Sequence, residues 1–132
     1  MLSGDKCKKW HPYCYSLARV IVGLLFFLHG ASKFGLFGGD AVSGTLLVSA
    51  GVIELVVGLS LVLGLWTRLT TLVGAVEMAV AFFYAHVSSG WNPLTNGGEA
   101  AVLFFAAFLI LHIHGNGSCC SLEKILWKKE RF

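Results

Sequence analysis

The sequence predicts an all-α protein, an up-down antiparallel four-helix transmembrane bundle with short loops and a basic C-terminal interfacial segment. Hydrophobic residues make up 56% of the chain and charged residues only 13%, against about 45–50% and about 25% in soluble domains. Four apolar runs lie at about 16–34, 44–65, 69–88 and 98–114, each near the roughly 20 residues that cross a bilayer. The short connections predict antiparallel neighbours, with both termini on one side.

The chain of 132 residues predicts one domain. We expect a basic N-terminal tail over 1–15, a membrane domain over 16–117 and a basic amphipathic tail over 118–132. The net charge of +3 favours an anionic membrane surface over a nucleic acid as partner. In the tail, Leu122, Ile125 and Leu126 share one helical face, which favours a position along the inner membrane surface, with partner binding as the alternative.

The positive charges predict the orientation in a cytoplasmic membrane. Only Lys33 lies toward the far end of the bundle. The residues expected on the terminal face are Lys6, Lys8, Lys9, Arg19, Arg68, Lys124, Lys128, Lys129 and Arg131. Because cytoplasmic loops are enriched in Lys and Arg, we expect both termini in the cytoplasm.

The first apolar run carries its polar and small residues on one side. The spacing of this stripe alternates between four and three residues, and its members are Arg19, Gly23, Phe26, Gly30, Lys33 and Phe37. His29 precedes Lys33 by four residues and lies next to this stripe on the helix surface. A charge at mid-bilayer costs about 2.5–3.5 kcal/mol, so this face is expected to point toward partner helices or a wet cavity.

Glu54 and Glu77 are predicted to lie at mid-membrane in the second and third runs, roughly 14–16 Å deep at about 1.5 Å per residue. Two ionised carboxylates there would repel, so at least one is expected to be protonated or paired with a cation or hydroxyl. One interpretation is a proton-handling or ligand-binding pair. The other is that each carboxyl group is a neutral interhelical hydrogen-bond partner.

The recurring glycines Gly44, Gly51 and Gly58 favour close helix packing.

A second group of polar residues is expected at the outer end of the bundle: His29, Lys33, His86 and Glu99. Together they could bind an anion or a quinone head group, or relay protons. Structural alternatives exist: Lys33 snorkels, and Glu99 follows Asn96 at a capping-box spacing. Arg19 and Arg68 are expected at the inner boundary, in contact with lipid head groups or in an ion pair within the bundle.

Four cysteines, Cys7, Cys14, Cys119 and Cys120, are predicted on the cytoplasmic face. The adjacent pair lacks the C-x-x-C spacing of a strong zinc or redox motif, and a reducing cytoplasm disfavours stable disulfides. Free or lipid-modified thiols are therefore the leading interpretation, and a metal or thiol-redox site is the weaker one. The sequence shows no phosphate loop, nucleotide fingerprint or hydrolytic triad.

Taken in order, these motifs resemble the DoxX family of small four-helix membrane proteins over roughly 16–117. The matching segments are R-x3-G-x2-F-x2-H-G-x2-K-F-G, Glu54-Leu55 with Gly58 and G-L-W-T-R, then Met78 and Ala81, and W-N-P followed by G-G-E-x-A. DoxD-like relatives resemble a subunit of thiosulfate:quinone oxidoreductase, and others are associated with membrane oxidoreductase complexes that counter oxidative or thiol stress. By matching positions, the resemblance implies a working set of Arg19, His29, Lys33, Glu54, Arg68 and Glu99; Glu77 joins it on physical grounds.

The leading functional hypothesis is a redox-associated membrane protein, a quinone-linked or thiol/sulfur oxidoreductase subunit. Glu54, Glu77 and His29 would handle protons, while the predicted ligand-binding residues are Lys33, His86, Glu99, Arg19 and Arg68. No cofactor is firmly predicted, and a quinone is the candidate. The expected partners are the lipid bilayer, oxidoreductase subunits and further copies of the chain. The alternatives are a proton or small-molecule transporter using the same glutamates, and an assembly partner without chemistry of its own.

Overall fold

The computed structural model describes residues 4–117 and 119–127, with side chains from residue 9 onward. All regular elements in this part of the chain are helices and it contains no strand, which confirms the all-α part of the predicted fold class. Its helices are α1 (Gly4–Ser32), α2 (Thr45–Leu63), α3 (Thr67–Ala81), α4 (Pro93–Asn96), α5 (Glu99–His114) and α6 (Leu122–Trp127). A π-helical turn, Phe82–His86, and a 3₁₀ turn, Val87–Ser89, prolong α3.

Three helical segments are long and apolar enough to cross a membrane: Lys9–Ser32, Thr45–Leu63 and Thr67–Ser89. The fourth apolar helix, α5, is shorter, with 16 residues, or about 24 Å at 1.5 Å per residue. The first helix differs from the sequence expectation because it begins at Gly4 instead of near residue 16 and continues through Pro12. At 29 residues it is roughly 43 Å long, longer than the about 30 Å of a hydrocarbon core.

The first two helices pack against each other through glycines. A Cβ added at Gly58 would lie 2.7 Å from the carbonyl oxygen of Gly23, and one added at Gly30 would lie 2.8 Å from that of Gly51. Early residues of α1 therefore face late residues of α2, so the two helices are antiparallel. Small residues at such contacts let backbones approach closely, as in membrane helix pairs.

Helices α3 and α5 form the second packed pair, and aromatic rings join it to α1. A Cβ at Gly74 would lie 2.7 Å from the ring of Phe108. The Phe108 ring in turn packs edge-on against Phe26 at 4.8 Å, and Phe104 lies 5.0 Å from Phe26. The buried apolar core consists of Phe26, Val57, Leu61, Ala75, Met78, Ala101, Phe108 and Leu111.

Large apolar side chains cover the outer surface of the helices. Val56 on α2, Val76 on α3 and Leu103 on α5 are all more than half exposed. A soluble protein rarely exposes contiguous apolar patches of this extent. Together with the three candidate spans, this surface indicates a membrane protein whose outer face meets lipid.

The C-terminal segment docks against the tight turn between α2 and α3. The carboxylate of Glu123, which is fully buried, accepts hydrogen bonds from the backbone N–H of Trp66, at 3.0 Å, and from the Asn116 side chain. The amide oxygen of Asn116 accepts a hydrogen bond from the Thr67 hydroxyl. Because Trp66 precedes the first residue of α3, the Glu123 charge lies where helix N-termini favour an anion.

Candidate functional site

An ion pair between Lys33, in the turn directly after α1, and Glu54 of α2 is the centre of the candidate site. The ammonium nitrogen of Lys33 lies 2.6 and 2.5 Å from the two carboxylate oxygens of Glu54. The Glu54 side chain is 1% exposed and that of Lys33 18%. A buried carboxylate with a cation on both oxygens keeps its charge at far lower cost than an isolated one.

Helix geometry explains why these two side chains meet. Side chains of an α-helix lean toward its N-terminus. Glu54 therefore leans toward the level of Gly51, while Lys33 lies in the turn directly after α1, where its backbone N–H donates to the oxygen of Gly30 at 3.1 Å. Because Gly30 and Gly51 touch across the antiparallel pair, the two charged groups converge at the same height.

His29 borders the ion pair. Its Nε2 lies 3.8 Å from Oε1 of Glu54, and its side chain is 47% exposed. The imidazole also packs near Phe104 of α5, with a distance of 6.2 Å between the two ring centroids. The ring is therefore both near the buried carboxylate and accessible from outside the packed interior.

Glu77 of α3 completes the group. Both of its carboxyl oxygens are buried, and neither has a hydrogen-bond partner among the described residues. The group is close enough to interact electrostatically with Glu54 and Lys33. We call His29, Lys33, Glu54 and Glu77 the polar cluster. It contains two carboxyl groups and one ammonium group, and among the described residues only Glu54 is paired directly with that ammonium group.

The structure does not join the remaining outer-end residues to the polar cluster. Nδ1 of His86 lies 3.1 Å from the backbone oxygen of Asn96. Glu99 is exposed in the first turn of α5. The Asn96 side chain accepts a hydrogen bond from the N–H of Gly98, at 2.8 Å, so it does not form the capping box considered with Glu99. Over the described ranges, no ion pair or hydrogen bond links His86 or Glu99 to Lys33.

The two arginines near the other end lie in different environments. Arg19 is fully buried, which places it inside the protein instead of at lipid head groups. Its Nη2 donates to the backbone oxygen of Cys120 at 2.5 Å, while Nε and Nη1 have no hydrogen-bond partner in the described structure. Arg68 is exposed, and its backbone oxygen lies 3.0 Å from Nδ1 of His112.

Two of the cysteines form a close pair. The sulfur atoms of Cys119 and Cys120 lie 3.1 Å apart, and Cys14 is a separate exposed thiol. Among the residues with described side chains, no group of three or more His, Cys, Asp or Glu is arranged to hold a metal ion. The side chain of Cys7 lies outside the described residues.

A polar cluster built from α1, α2 and α3 falls entirely within the region that matches a known family, since the DoxX profile matches residues 15–87. The chain belongs to the DoxX family. An uncharacterized protein of Haemophilus influenzae is similar to this DoxX protein, with 40% identity over 134 residues, which cover 95% of this chain and 99% of the relative. No solved structure matches this chain significantly. Cys119, Cys120 and Glu123 lie beyond the matched region of this DoxX chain.

Proposed function

We propose that this DoxX protein crosses the cytoplasmic membrane four times, with α1, α2, α3 and α5 as an up-down bundle and both termini in the cytoplasm. The antiparallel contacts of α1 with α2 and of α3 with α5 support this arrangement. Lys9, Arg19, Arg68 and Lys124 lie at the end of the helices that carries the termini. This distribution follows the tendency of cationic residues to stay on the cytoplasmic side.

Labelling of Cys14 tests the orientation. In intact cells a membrane-impermeant maleimide is expected to leave Cys14 unmodified, and in inverted vesicles to modify it. A variant that retains Cys14 as its only cysteine makes the result unambiguous. Labelling in intact cells would reverse the proposed orientation.

Within the membrane we assign the protein a redox-associated role, as a quinone-linked or thiol/sulfur subunit of an oxidoreductase complex. The observation that supports it is the Lys33–Glu54 pair together with the nearby Glu77, whose carboxyl group has no hydrogen-bond partner among the described residues. A buried ionisable group in a membrane segment marks a proton or ligand path more often than a structural contact. Reduction of a quinone consumes two protons, and electrons would come from a partner subunit.

The residues of the polar cluster supply the kinds of polar group that bind a quinone head group. His29 and Lys33 offer N–H donors for a carbonyl oxygen, and the buried oxygens of Glu77 lack a hydrogen-bond partner among the described residues. Lys33 contacts both carboxylate oxygens of Glu54, while Glu77 takes up and releases the proton. His29, which is half exposed, passes the proton between Glu77 and the outside of the cluster.

Quinone retention and turnover test this role. The full chain is purified gently from membranes, and bound quinone and protein partners are identified by mass spectrometry. We expect stoichiometric quinone in the wild type and its loss in Lys33→Ala, while Glu54→Gln, Glu77→Gln and His29→Ala lower quinone reduction in membranes. Asp40→Asn, which alters an exposed carboxylate outside the cluster, serves as the matched control. Unchanged redox activity in Glu54→Gln and His29→Ala would exclude this role.

A proton-coupled transporter is the second candidate, because Glu77 is a buried carboxyl group without a partner in the described structure. Such a group binds a proton in one state and releases it in another. Proton uptake by proteoliposomes that depends on an added substrate, and is lost in Glu77→Gln, would favour transport over quinone reduction. If neither activity appears and the variants retain their protein partners, an assembly role follows.

A further inference from the structure

We propose that Cys119 and Cys120 are a vicinal thiol pair that exchanges with small disulfides at the end of the protein opposite the polar cluster. Their sulfur atoms lie 3.1 Å apart, already in contact. Cys120 is exposed and Cys119 is partly exposed, so a small disulfide reaches both. This site lies outside the DoxX match and stands independently of the role proposed for the polar cluster.

The pair is held against α1 by polar contacts on both residues. The Ser16 hydroxyl donates to the backbone oxygen of Cys119 at 2.8 Å and lies 3.5 Å from its sulfur. Arg19 donates to the backbone oxygen of Cys120. These contacts fix the segment between α5 and α6 on the N-terminal helix, so the two thiols occupy a defined position.

A buried cation beneath the pair favours negative charge on sulfur. Arg19 is fully buried, and its Nε and Nη1 have no hydrogen-bond partner within the described residues. A buried guanidinium without a carboxylate partner stabilises a nearby anion strongly because no competing charge screens it. The thiols of Cys119 and Cys120 are close enough to interact with this charge, and Lys124 adds a second positive charge near Cys119.

The two thiols are not equivalent. The neighbouring Ser16 hydroxyl, the Cys120 thiol and the charges of Arg19 and Lys124 lower the pKa of Cys119 below its ordinary value. The hydrogen bond with Cys119 and the charge on that sulfur raise the pKa of Cys120. Because the thiolate is the nucleophile, Cys119 is the attacking group and Cys120 the resolving group.

The thiol–disulfide exchange needs no reagent other than the small disulfide. The Cys119 thiolate attacks a disulfide R–S–S–R, the S–S bond breaks, and one RS⁻ leaves as Cys119 forms a mixed disulfide. The Cys120 sulfur, after losing its proton, then attacks Cys119 and releases the second RS⁻. The two thiol protons end on the two RSH products. The cysteine pair is oxidised by two electrons and the small disulfide is reduced.

Adjacent cysteines form a disulfide that opens easily. Neighbouring Cα atoms are about 3.8 Å apart, less than the about 4.4–6.8 Å usual for a disulfide. Strained disulfides are more readily reduced than structural ones. The reduced pair is therefore the resting form under reducing conditions, and the closed form is transient.

Glutathione disulfide is the probe that tests the exchange. The full-length protein in detergent is treated with it, and the adducts are mapped by mass spectrometry. In the wild type we expect the fragment with both cysteines to lose two hydrogen atoms and both of its alkylation sites. Cys120→Ser is expected to accumulate glutathione on Cys119, and Cys119→Ser to react much more slowly. Cys14→Ser is the control and behaves as the wild type.

Other outcomes would overturn the proposal. Glutathione on Cys14 and Cys120 at equal rates, with no internal loss of hydrogen, would show ordinary exposed thiols. The rate of Cys119 alkylation is expected to increase with pH over a lower pH range than for an ordinary thiol, whose pKa is about 8.5. In Ser16→Ala we expect this increase to move to higher pH. A profile unchanged by Ser16→Ala would remove Ser16 as the positioning residue. Adducts on the cysteines are measured without quinone turnover, so this outcome is separate from that of the quinone test.

Discussion

The ammonium group of Lys33, directly after α1, and the carboxylate of Glu54 on α2 form an ion pair. The ammonium nitrogen lies within 2.6 Å of both carboxylate oxygens. The contact lies beside the glycine pair Gly30 and Gly51, where the two backbones nearly touch. Each residue thus satisfies the charge of the other inside an apolar environment. The ion pair therefore lies at the level where the close glycine contact sets the register of the first two helices.

Removing one partner of the pair is expected to destabilise the protein. Lys33→Ala leaves the Glu54 carboxylate buried without its cation, and breaking a buried ion pair costs about 3–5 kcal/mol. Unfolding of the purified protein by denaturant in detergent micelles measures the change. Asp40→Asn, a charge removal at an exposed loop position, is the control and should leave the free energy of unfolding within about 0.5 kcal/mol.

A double-mutant cycle separates the pair from its surroundings. In Lys33→Ala with Glu54→Gln, the second substitution removes the charge that the first leaves unpaired. The double variant is then expected to be less destabilised than the sum of the single variants, with a coupling of about 0.5–3 kcal/mol. Strict additivity of the two losses would mean that the residues do not interact.

The sequence predicted the helices and much of their packing because those features follow from local patterns. Apolar runs of about membrane length located the three candidate spans and α5. Of the three glycines expected at a helix contact, Gly51 and Gly58 lie at the α1–α2 contact, whereas Gly44 precedes α2 with open space where a Cβ would be. Each of these features depends on residues close in the chain, where periodicity carries the information.

The sequence did not predict the pairing of Lys33 with Glu54, because that contact depends on the relative height of two helices. By length alone, Lys33 was placed toward the outer end and Glu54 at mid-membrane. The register follows once Gly30 is set against Gly51, since Glu54 leans toward that level and Lys33 lies in the turn that follows Gly30. The small-residue spacing was therefore the signal for the pair. The π-helical turn that prolongs α3 has no such signal.

The role of Glu123 was also missed, because its partners are distant along the chain. The tail was predicted from its amphipathic pattern to lie on the membrane surface, and Ile125 and Leu126 are indeed exposed. Glu123 instead turns inward to the start of α3. No helical periodicity distinguishes a buried glutamate in a charged tail from a solvated one.

Enlarging a glycine at the α1–α2 contact is expected to separate the helices. A Cβ at Gly58 would lie 2.5 Å from the backbone nitrogen of Phe27 and 2.7 Å from the oxygen of Gly23. These are backbone atoms that cannot move aside singly, so Gly58→Ala should cost about 1–3 kcal/mol. Leu59→Ala changes the adjacent, half-exposed position and serves as the control. Equal stability of the two variants, measured by thermal denaturation in detergent, would contradict the close contact.

Loss of Asn116 is expected to loosen the C-terminal segment from the α2–α3 turn. Asn116→Ala removes one hydrogen-bond donor from the buried Glu123 carboxylate and the acceptor of the Thr67 hydroxyl. An unsatisfied buried polar group costs about 1–3 kcal/mol. Limited proteolysis after residue 117 should accelerate in this variant and stay unchanged in Leu126→Ala, which alters an exposed side chain of α6. Slow cleavage in both variants would show that the segment is held by other contacts.

Glu54→Gln and Glu77→Gln are expected to change stability in opposite directions, although the chemical substitution is the same. Glu54 has the Lys33 ammonium on both oxygens, so an amide there leaves a buried cation without its anion and destabilises the protein. Glu77 has no hydrogen-bond partner in the described structure, and it lies near another carboxylate. Burial and the neighbouring carboxylate both disfavour the charged form of Glu77. A neutral amide of nearly the same shape replaces the neutral acid, so Glu77→Gln should leave the free energy of unfolding unchanged or raise it.

The two variants are compared in one denaturant titration, in the same detergent and at the same pH. Glu77→Asn, which shortens the side chain and also removes the charge, separates the effect of charge from that of packing. A loss of stability in Glu77→Gln as large as in Glu54→Gln would mean that Glu77 is held by a partner comparable to Lys33. The polar cluster would then be a fully paired structural network, because no carboxyl group would remain to exchange a proton.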